Sequence, residues 1–321
     1  MERIRQIAEA AVAEASKAII GKEWQIRLVL AAIFCGGHVL LDDLPGVGKT
    51  TLVKVVSRVL GCSFSRVQFT PDLLPSDITG MSVFDQKLGD FRTMRGPVMA
   101  NIFLADEINR AIPRTQAALL EAMEELQVTI DGEAYALPEP FIVMATQNPV
   151  EMESTFHLPI AQMDRFLMRL SLGYPSRGEE AEMLRAVGDG TRLDSLAAVT
   201  CADALGGLRR EIAESVYIDD KVLDYIVSIT GATRDSGLLA LPAGPRASRA
   251  LYRAGKAFAA MNGRAFVTPD DVKALAPYIL PHRVTPNGEA RAMGKSADGI
   301  IGDILGTVAA PGGEGGMLYA R

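Results

Sequence analysis

The chain has 321 residues, 48% of them hydrophobic and 22% charged, which excludes disordered and collagen-like classes and suits about two domains. With 39 acidic against 33 basic side chains the net charge is −6, the opposite of the basic surplus expected of a chain that lives on nucleic-acid phosphate. Cys35, Cys62 and Cys201 are odd in number and lack CxxC spacing, which points to reduced thiols of a cytoplasmic protein rather than a disulfide framework.

The N-terminal stretch MERIRQIAEA carries Glu2 and Glu9 and has no uninterrupted apolar segment before a small-residue cleavage site, so no signal peptide is expected. The longest weakly polar run, residues 28–41, contains Gly36, Gly37 and His38 and falls short of a membrane span. Short β-branched runs then alternate with helical patterns as far as about residue 172. Strands are expected over 38–41, 66–69, 102–105, 141–145 and 167–172, and the intervening helices imply right-handed crossovers and a largely parallel sheet. An α/β domain is therefore expected over residues 1–173.

After the first strand comes LDDLPGVGKTTL, a glycine turn followed by a helix opening at Lys49. In the P-loop pattern the backbone N–H groups that follow Pro45, set by Gly46 and Gly48, surround one anion. The helix N-terminus adds positive dipole, Lys49 reaches the β/γ-phosphates and Thr50 holds Mg²⁺. The pattern GxxxxGK[ST] wants glycine at 43, where this chain has Asp43 preceded by Asp42. An acidic pair beside phosphate is unfavourable unless it points away or meets a cation. Between Leu73 and Pro97, Met81–Phe84 and Phe91–Met94 around a Gly89-Asp90 turn read as a β-hairpin interrupting a helix.

The strand Ile102–Ala105 ends in Asp106 and Glu107, where a buried parallel strand presents side chains to a ligand crevice. Asp106 is placed to take Mg²⁺ through water, and Glu107 to polarise the water that attacks the γ-phosphate. A second hairpin, residues 127–130 and 133–137 joined by Asp131-Gly132, has a strong two-residue turn signal. The next strand ends at Gln147-Asn148-Pro149, where Asn148 can contact the γ-phosphate or fix the attacking water.

Beyond Tyr174-Pro175 only helical patterns follow, so a helical domain is expected over 174–283. One helix starts after an Asp219 N-cap, with Val222, Leu223, Ile226 and Val227 on one face. Another opens at Thr268-Pro269-Asp270-Asp271. Between them Arg246 follows Pro245 in a helix's first turn, where a cation opposes the helix dipole unless a bound anion compensates it, and the γ-phosphate of ATP is the natural candidate. From residue 284 the periodicity fades, and 284–321, with its AAPGGEGG segment, reads as a flexible tail. His38, His157 and His282 are isolated and read as structural, there is no HExxH or GxSxG, and the glycine loop fails GxGxxG at its last position, which disfavours a nicotinamide cofactor.

These motifs together resemble the MoxR family of AAA+ ATPases. The resemblance rests on LDDLPGVGKTTL, FTPDLLPSDITG, LADEINRA, ATQNP, LPIAQMDRF and AGPRAS, and covers most of residues 17–283. It implies a P-loop NTPase core with a parallel sheet and β-hairpin insertions, followed by a helical lid. It implies MgATP binding and hydrolysis through Pro45, Gly46, Val47, Gly48, Lys49, Thr50, Thr51, Asp106 and Glu107, with Thr50 and Asp106 on the metal. Asn148 matches the family's sensor 1 and Arg246 its sensor 2, while Ile20 and Gly21 resemble the segment lining the adenine. In such rings an arginine before the last core strand reaches the neighbouring subunit's ATP. Arg165 is favoured for that part, with Arg110 and Arg114 as competitors.

The family further implies a ring, most simply a hexamer, acting as a chaperone on partner complexes, often with a von Willebrand factor A domain protein. The two hairpins resemble its helix-2 and pre-sensor-1 insertions, which face a pore or partner surface. A nucleic-acid motor or loader is the alternative, favoured by six cationic residues against one acidic over 234–264 and opposed by the acidic chain and by hairpins that are not rich in Lys or Arg. A nucleotide switch without turnover is a third reading, opposed by Asp106, Glu107 and Asn148 being present together.

Overall fold

The computed structural model describes residues 1–87, 89–148, 156, 158–189 and 195–311. The chain divides into two compact units, residues 2–210 and the residues from 211 onward. In the first unit the elements are α1 (Glu2–Ser16), α2 (Glu23–Phe34), β1 (His38–Asp42), α3 (Lys49–Val59), β2 (Phe64–Gln68), α4 (Pro75–Thr79), β3 (Gly80–Asp85), β4 (Asp90–Arg95) and β5 (Ile102–Asp106). They continue with α5 (Pro113–Glu125), β6 (Gln127–Ile130), β7 (Glu133–Ala136), β8 (Ile142–Gln147), α6 (Ile160–Met163), β9 (Phe166–Leu170) and α7 (Arg177–Asp189).

Five strands form one parallel sheet in the order β2-β5-β8-β1-β9. The expected strands are all present, with ends shifted by at most two residues. β1, β5 and β8 are almost wholly buried, so the sheet is covered on both faces, as a parallel sheet requires. Successive strands reach β1 from both sides, β8 on one and β9 on the other, and such a reversal opens a crevice at the carboxyl ends of the strands. Leu40, Phe103, Val143, Phe166, Leu119 and Phe69 are among the residues that pack the core on one face.

Both hairpins form. β3 and β4 pair antiparallel from Gly80↔Arg95 to Asp85↔Asp90. This hairpin leaves the end of the five-residue α4 and returns beside it, where Gly96 and Val98 N–H donate to Thr79 and Ile78 carbonyls. No helix resumes before β5, so it follows a helix rather than interrupting one. In the β6–β7 hairpin Asp131 and Gly132 both have positive φ, 49° and 87°, as a turn matching strand twist requires.

The pattern of the sequence changes at 173/174, yet the first compact unit extends to 210. Residues 196–199 are tied into it: Val199 N–H donates to Val59 O (2.8 Å), Arg58 Nε to Leu196 O (3.3 Å), and Ala197 N–H to Glu14 Oε1 (2.9 Å). α8 (Ala202–Ser215) leads into the second unit. That unit holds α9 (Asp220–Asp235), β10 (Leu239–Leu241), α10 (Pro245–Met261), α11 (Pro269–Ile279), β11 (Thr285–Pro286), α12 (Gly288–Ala292) and α13 (Ala297–Thr307). Its expected caps are in place: Asp219 accepts from Lys221 N–H, and Thr268 and Asp271 form a reciprocal capping box.

The flexible tail expected from residue 284 is corrected up to residue 307. β11 pairs with β10, Asn287 caps α12, and Ser296 caps α13. Gly299, Gly302 and Gly306 weaken helix propensity and hide the pattern, but Ile300, Ile301, Ile304 and Leu305 bury one face where α13 packs on α9 and α11. The glycine-rich segment after 311 lies outside the described residues.

Candidate functional site

The loop after β1 and the carboxyl ends of β5 and β8 meet at the crevice. Gly46 and Gly48 have φ of 82° and 90°, conformations that L side chains rarely adopt, and a Cβ built on either would find nothing within 4 Å. The loop therefore presents open space walled by backbone, directly before the first turn of α3, where the unpaired N–H groups and the helix dipole favour an anion. Lys49 Nζ bonds the carbonyls of Asp43 (2.5 Å) and Gln147 (3.1 Å), which bridges β1 to β8 across the crevice. Burial pushes its ammonium below the ordinary lysine value, opposed by the charges of Asp43, Asp106, Asp42 and Glu107. A partly buried ammonium gains from an anion brought into contact with it.

Asp43 turns out to be structural. It is 7% exposed. Its Oδ2 accepts from Ser171 Oγ (3.0 Å) and from the N–H groups of Leu172 (2.5 Å) and Gly173 (2.8 Å), and Oδ1 from Leu44 N–H (2.8 Å). The carboxylate thus points away from the glycine loop and fastens the end of β1 to the chain leaving β9. Asp42 lies 3.8 Å from Arg169. The concern raised by an acidic pair beside phosphate is met by orientation at 43 and by a cation at 42.

Asp106 and Glu107 end β5. Asp106 Oδ1 accepts from Thr146 Oγ1 on β8 (2.6 Å), and Oδ2 lies 3.4 Å from Thr50 Oγ1. A hydroxyl and a carboxylate so placed are the hard oxygen donors that Mg²⁺ takes together with phosphate oxygens. Among the described residues no group of three His, Cys, Asp or Glu side chains could hold a metal unaided.

Glu107 is a non-glycine residue in the left-handed region, φ 55° and ψ 51°. Such backbone costs on the order of 1–3 kcal/mol and persists where its surroundings enforce it. Here Glu107 N–H donates to Thr146 Oγ1 (2.7 Å), so one hydroxyl positions both carboxylates. The side-chain Oε2 accepts from Gln68 Nε2 (2.8 Å) and Arg110 NH1 (2.9 Å). Asn148, at the end of β8, is 6% exposed.

Lys49, Thr50, Asp106 and Glu107 are thus brought together, and Asn148 follows directly on the strand that anchors Lys49. Ile20 and Gly21 lie between α1 and α2. Gly21 has φ 71°, and the Glu179 carboxylate fills the space a Cβ would need. Arg165, after α6, is bound within its own chain, to Glu124 (2.9 Å) and to the Leu120 carbonyl of α5. Arg110 pairs with Glu107, and Arg114 is exposed at the start of α5. Arg246 belongs to the second unit, exposed in the first turn of α10.

His38 is structural: its Nδ1 accepts from Val143 N–H (2.9 Å), which leaves Nε2 to donate to Met123 O (3.2 Å). His282 is buried in the second unit, and His157 lies outside the described residues.

Three residues at the site escaped sequence reasoning: Arg66, Gln68 and Thr146. Arg66 bonds Asp106 Oδ2 through Nε (2.9 Å) and NH2 (2.8 Å) and also reaches Gln68 Oε1 (2.8 Å). The available signal was the alternation of β2, which puts Arg66 and Gln68 on one face beside β5 in the register Gln68↔Asp106.

Residues 38–168 match the model for the ATPase family associated with various cellular activities, and residues 231–304 match the AAA lid domain. The chain is 45% identical over 310 residues to the uncharacterized protein YeaC of Bacillus subtilis, covering 97% of each. It is 41% identical to Chaperone MoxR1 of Mycobacterium tuberculosis, covering 94% of this chain and 82% of that one, and 33% identical to Protein MoxR of Methylorubrum extorquens, covering 93% of each. A crystal structure of a Cytophaga hutchinsonii protein superposes with a TM-score of 0.89 at 38% identity, covering 96% of both chains.

Proposed function

The chain belongs to the MoxR family of AAA+ ATPases, and from this premise we propose that it is a Mg²⁺-dependent ATP hydrolase that assembles into a ring, most simply a hexamer, and remodels partner proteins as a chaperone. The observation that carries the reading is the convergence of an open glycine loop, Lys49, Thr50 and the Asp106–Glu107 pair at the carboxyl ends of the central strands.

In this reading the backbone of Pro45–Thr51 and the first turn of α3 hold the triphosphate, and Lys49 exchanges its carbonyl partners for β/γ-phosphate oxygens. Thr50 and Asp106 hold Mg²⁺. When bound, the metal neutralises developing charge on the phosphates. Glu107 accepts a proton from the attacking water, and Asn148 orients that water or the γ-phosphate. The strained backbone at 107, anchored by Thr146, keeps the carboxylate at the end of the strand.

Ile20 and Gly21 line the adenine. Arg246 answers the γ-phosphate as sensor 2, and Arg165 reaches the ATP of the neighbouring subunit, for which it must leave Glu124. A von Willebrand factor A domain protein is the partner class that the family suggests. Three cysteines, an odd number without CxxC spacing, suit a reducing, cytoplasmic setting. Among the described residues no helix is long and apolar enough to cross a membrane.

Glu107→Gln tests the chemistry. Calorimetry should find ATP binding retained, and phosphate release should fall about 100-fold or more. Undiminished turnover would reject Glu107 as the base. The same variant, holding ATP, is the bait with which to co-purify the partner.

A further inference from the structure

Asp106 is already matched by a cation of its own chain. Its Oδ2 receives two donors from Arg66, Nε at 2.9 Å and NH2 at 2.8 Å, and its Oδ1 is engaged by Thr146. The two partners differ in freedom: the Asp106 side chain is 11% exposed, the Arg66 side chain 43%. Arg66 extends from β2, an edge strand of the sheet, so its guanidinium can swing into water while the carboxylate stays where β5 and Thr146 hold it.

Resting on the nucleotide-binding reading above, we propose that Arg66 is a displaceable internal counter-ion that competes with divalent metal for Asp106. A guanidinium forked onto Oδ2 uses the lone pairs that a metal ion or its bound water needs, and two cations beside one oxygen repel strongly in a partly buried site. Arg66 therefore has to leave Oδ2 before Asp106 can serve a metal. Its departure also withdraws the NH2 group that holds Gln68 Oε1, and Gln68, with Arg110, bonds the Glu107 carboxylate. Arg66 thereby keeps Asp106 neutralised and the two carboxylates tied together until metal and nucleotide arrive. Arg66 acts through Asp106, as a competitor that sets metal affinity.

The test reads metal binding, not turnover. Free Mn²⁺ is counted by electron paramagnetic resonance while the full chain, saturated with a non-hydrolysable ATP analogue, is titrated with Mn²⁺. Arg66→Gln should tighten Mn²⁺ binding about fivefold or more, the usual size of a coupling between two charged ligands. Arg66→Lys, which keeps the charge but cannot fork onto the oxygen, should tighten it by a smaller factor and carries the test if the glutamine variant does not fold by circular dichroism. Mn²⁺ affinity unchanged or weakened in the folded variants would overturn the inference, because a residue that orients Asp106 for metal must lower affinity when removed. The analogue is also titrated with Mg²⁺ present against the unaltered chain. Failure of that chain to bind would sink the nucleotide reading itself, whereas binding there with unmoved Mn²⁺ affinity in the variants would sink the inference alone.

Discussion

Replacing Asp43 by glycine would make the loop conform to GxxxxGK[ST], and it should nevertheless destabilise the first unit. The carboxylate binds Ser171 Oγ and the N–H groups of Leu172 and Gly173 through Oδ2, and Leu44 N–H through Oδ1. A hydrogen bond to a charged group contributes about 1.5–3 kcal/mol net, and an orphaned buried donor costs about 1–3 kcal/mol. Leu172 is 4% exposed, so its N–H finds little water once the acceptor is gone. The bonds share one carboxylate and are not additive, and the glycine costs roughly a further 0.5–1 kcal/mol in chain entropy. Removing the buried charge returns part of its desolvation cost. The net loss is then about 2–4 kcal/mol, a fall in Tm of roughly 5–15 °C for a unit of this size. Trp24, the single tryptophan, lies on α2 in the first unit, so its fluorescence follows that unit's melting. Asp43→Asn, which keeps one acceptor oxygen and loses the charge, should fall between. A glycine variant that melts at or above the parent temperature would refute the assignment of Asp43 as the tie between the ends of β1 and β9.

Two further outcomes test the neighbouring readings. Arg165→Ala loses a partly exposed pair with Glu124, which contributes no more than about 1 kcal/mol, and a part-buried bond to the Leu120 carbonyl of about 1.5 kcal/mol, so Tm should fall by no more than about 10 °C while turnover falls about 1,000-fold. Mixing it with Glu107→Gln should restore some turnover if Arg165 acts on the neighbouring subunit, and no recovery at any ratio would return the role to Arg110 or Arg114. Ile301→Ala removes a side chain that is 1% exposed on α13 and should cost the second unit about 2–4 kcal/mol in urea unfolding, whereas a change under about 0.5 kcal/mol would mean that α13 contributes no packing.

How far the site was legible depends on the range of each interaction. Lys49, Thr50, Asp106 and Glu107 were readable because chain-local geometry makes them: a glycine turn between strand and helix, and a carboxylate pair closing an apolar strand. The Asp131-Gly132 turn and the Thr268–Asp271 capping box were readable for the same reason, each being complete within four residues. Asp43 was readable as an anomaly but not as a solution, since its partners at 171–173 come from the far side of β1. Arg66 and Gln68 carry an alternating edge-strand signal, yet their meaning depends on the register Gln68↔Asp106, which periodicity does not specify. α13 was hidden because its glycines oppose helix formation and only packing on α9 and α11 overrides them.

The contacts that local pattern could not supply are also those that join the reacting groups to one another. Thr146 bonds both the side chain of Asp106 and the backbone of Glu107, while Arg66 and Gln68 link the two carboxylates along the outer strand. Asp106 and Glu107, proposed to serve the metal and the attacking water, are therefore coupled through two neighbouring strands. A change at either β2 or β8 should move both proposed functions together, even though neither strand carries the glycine loop.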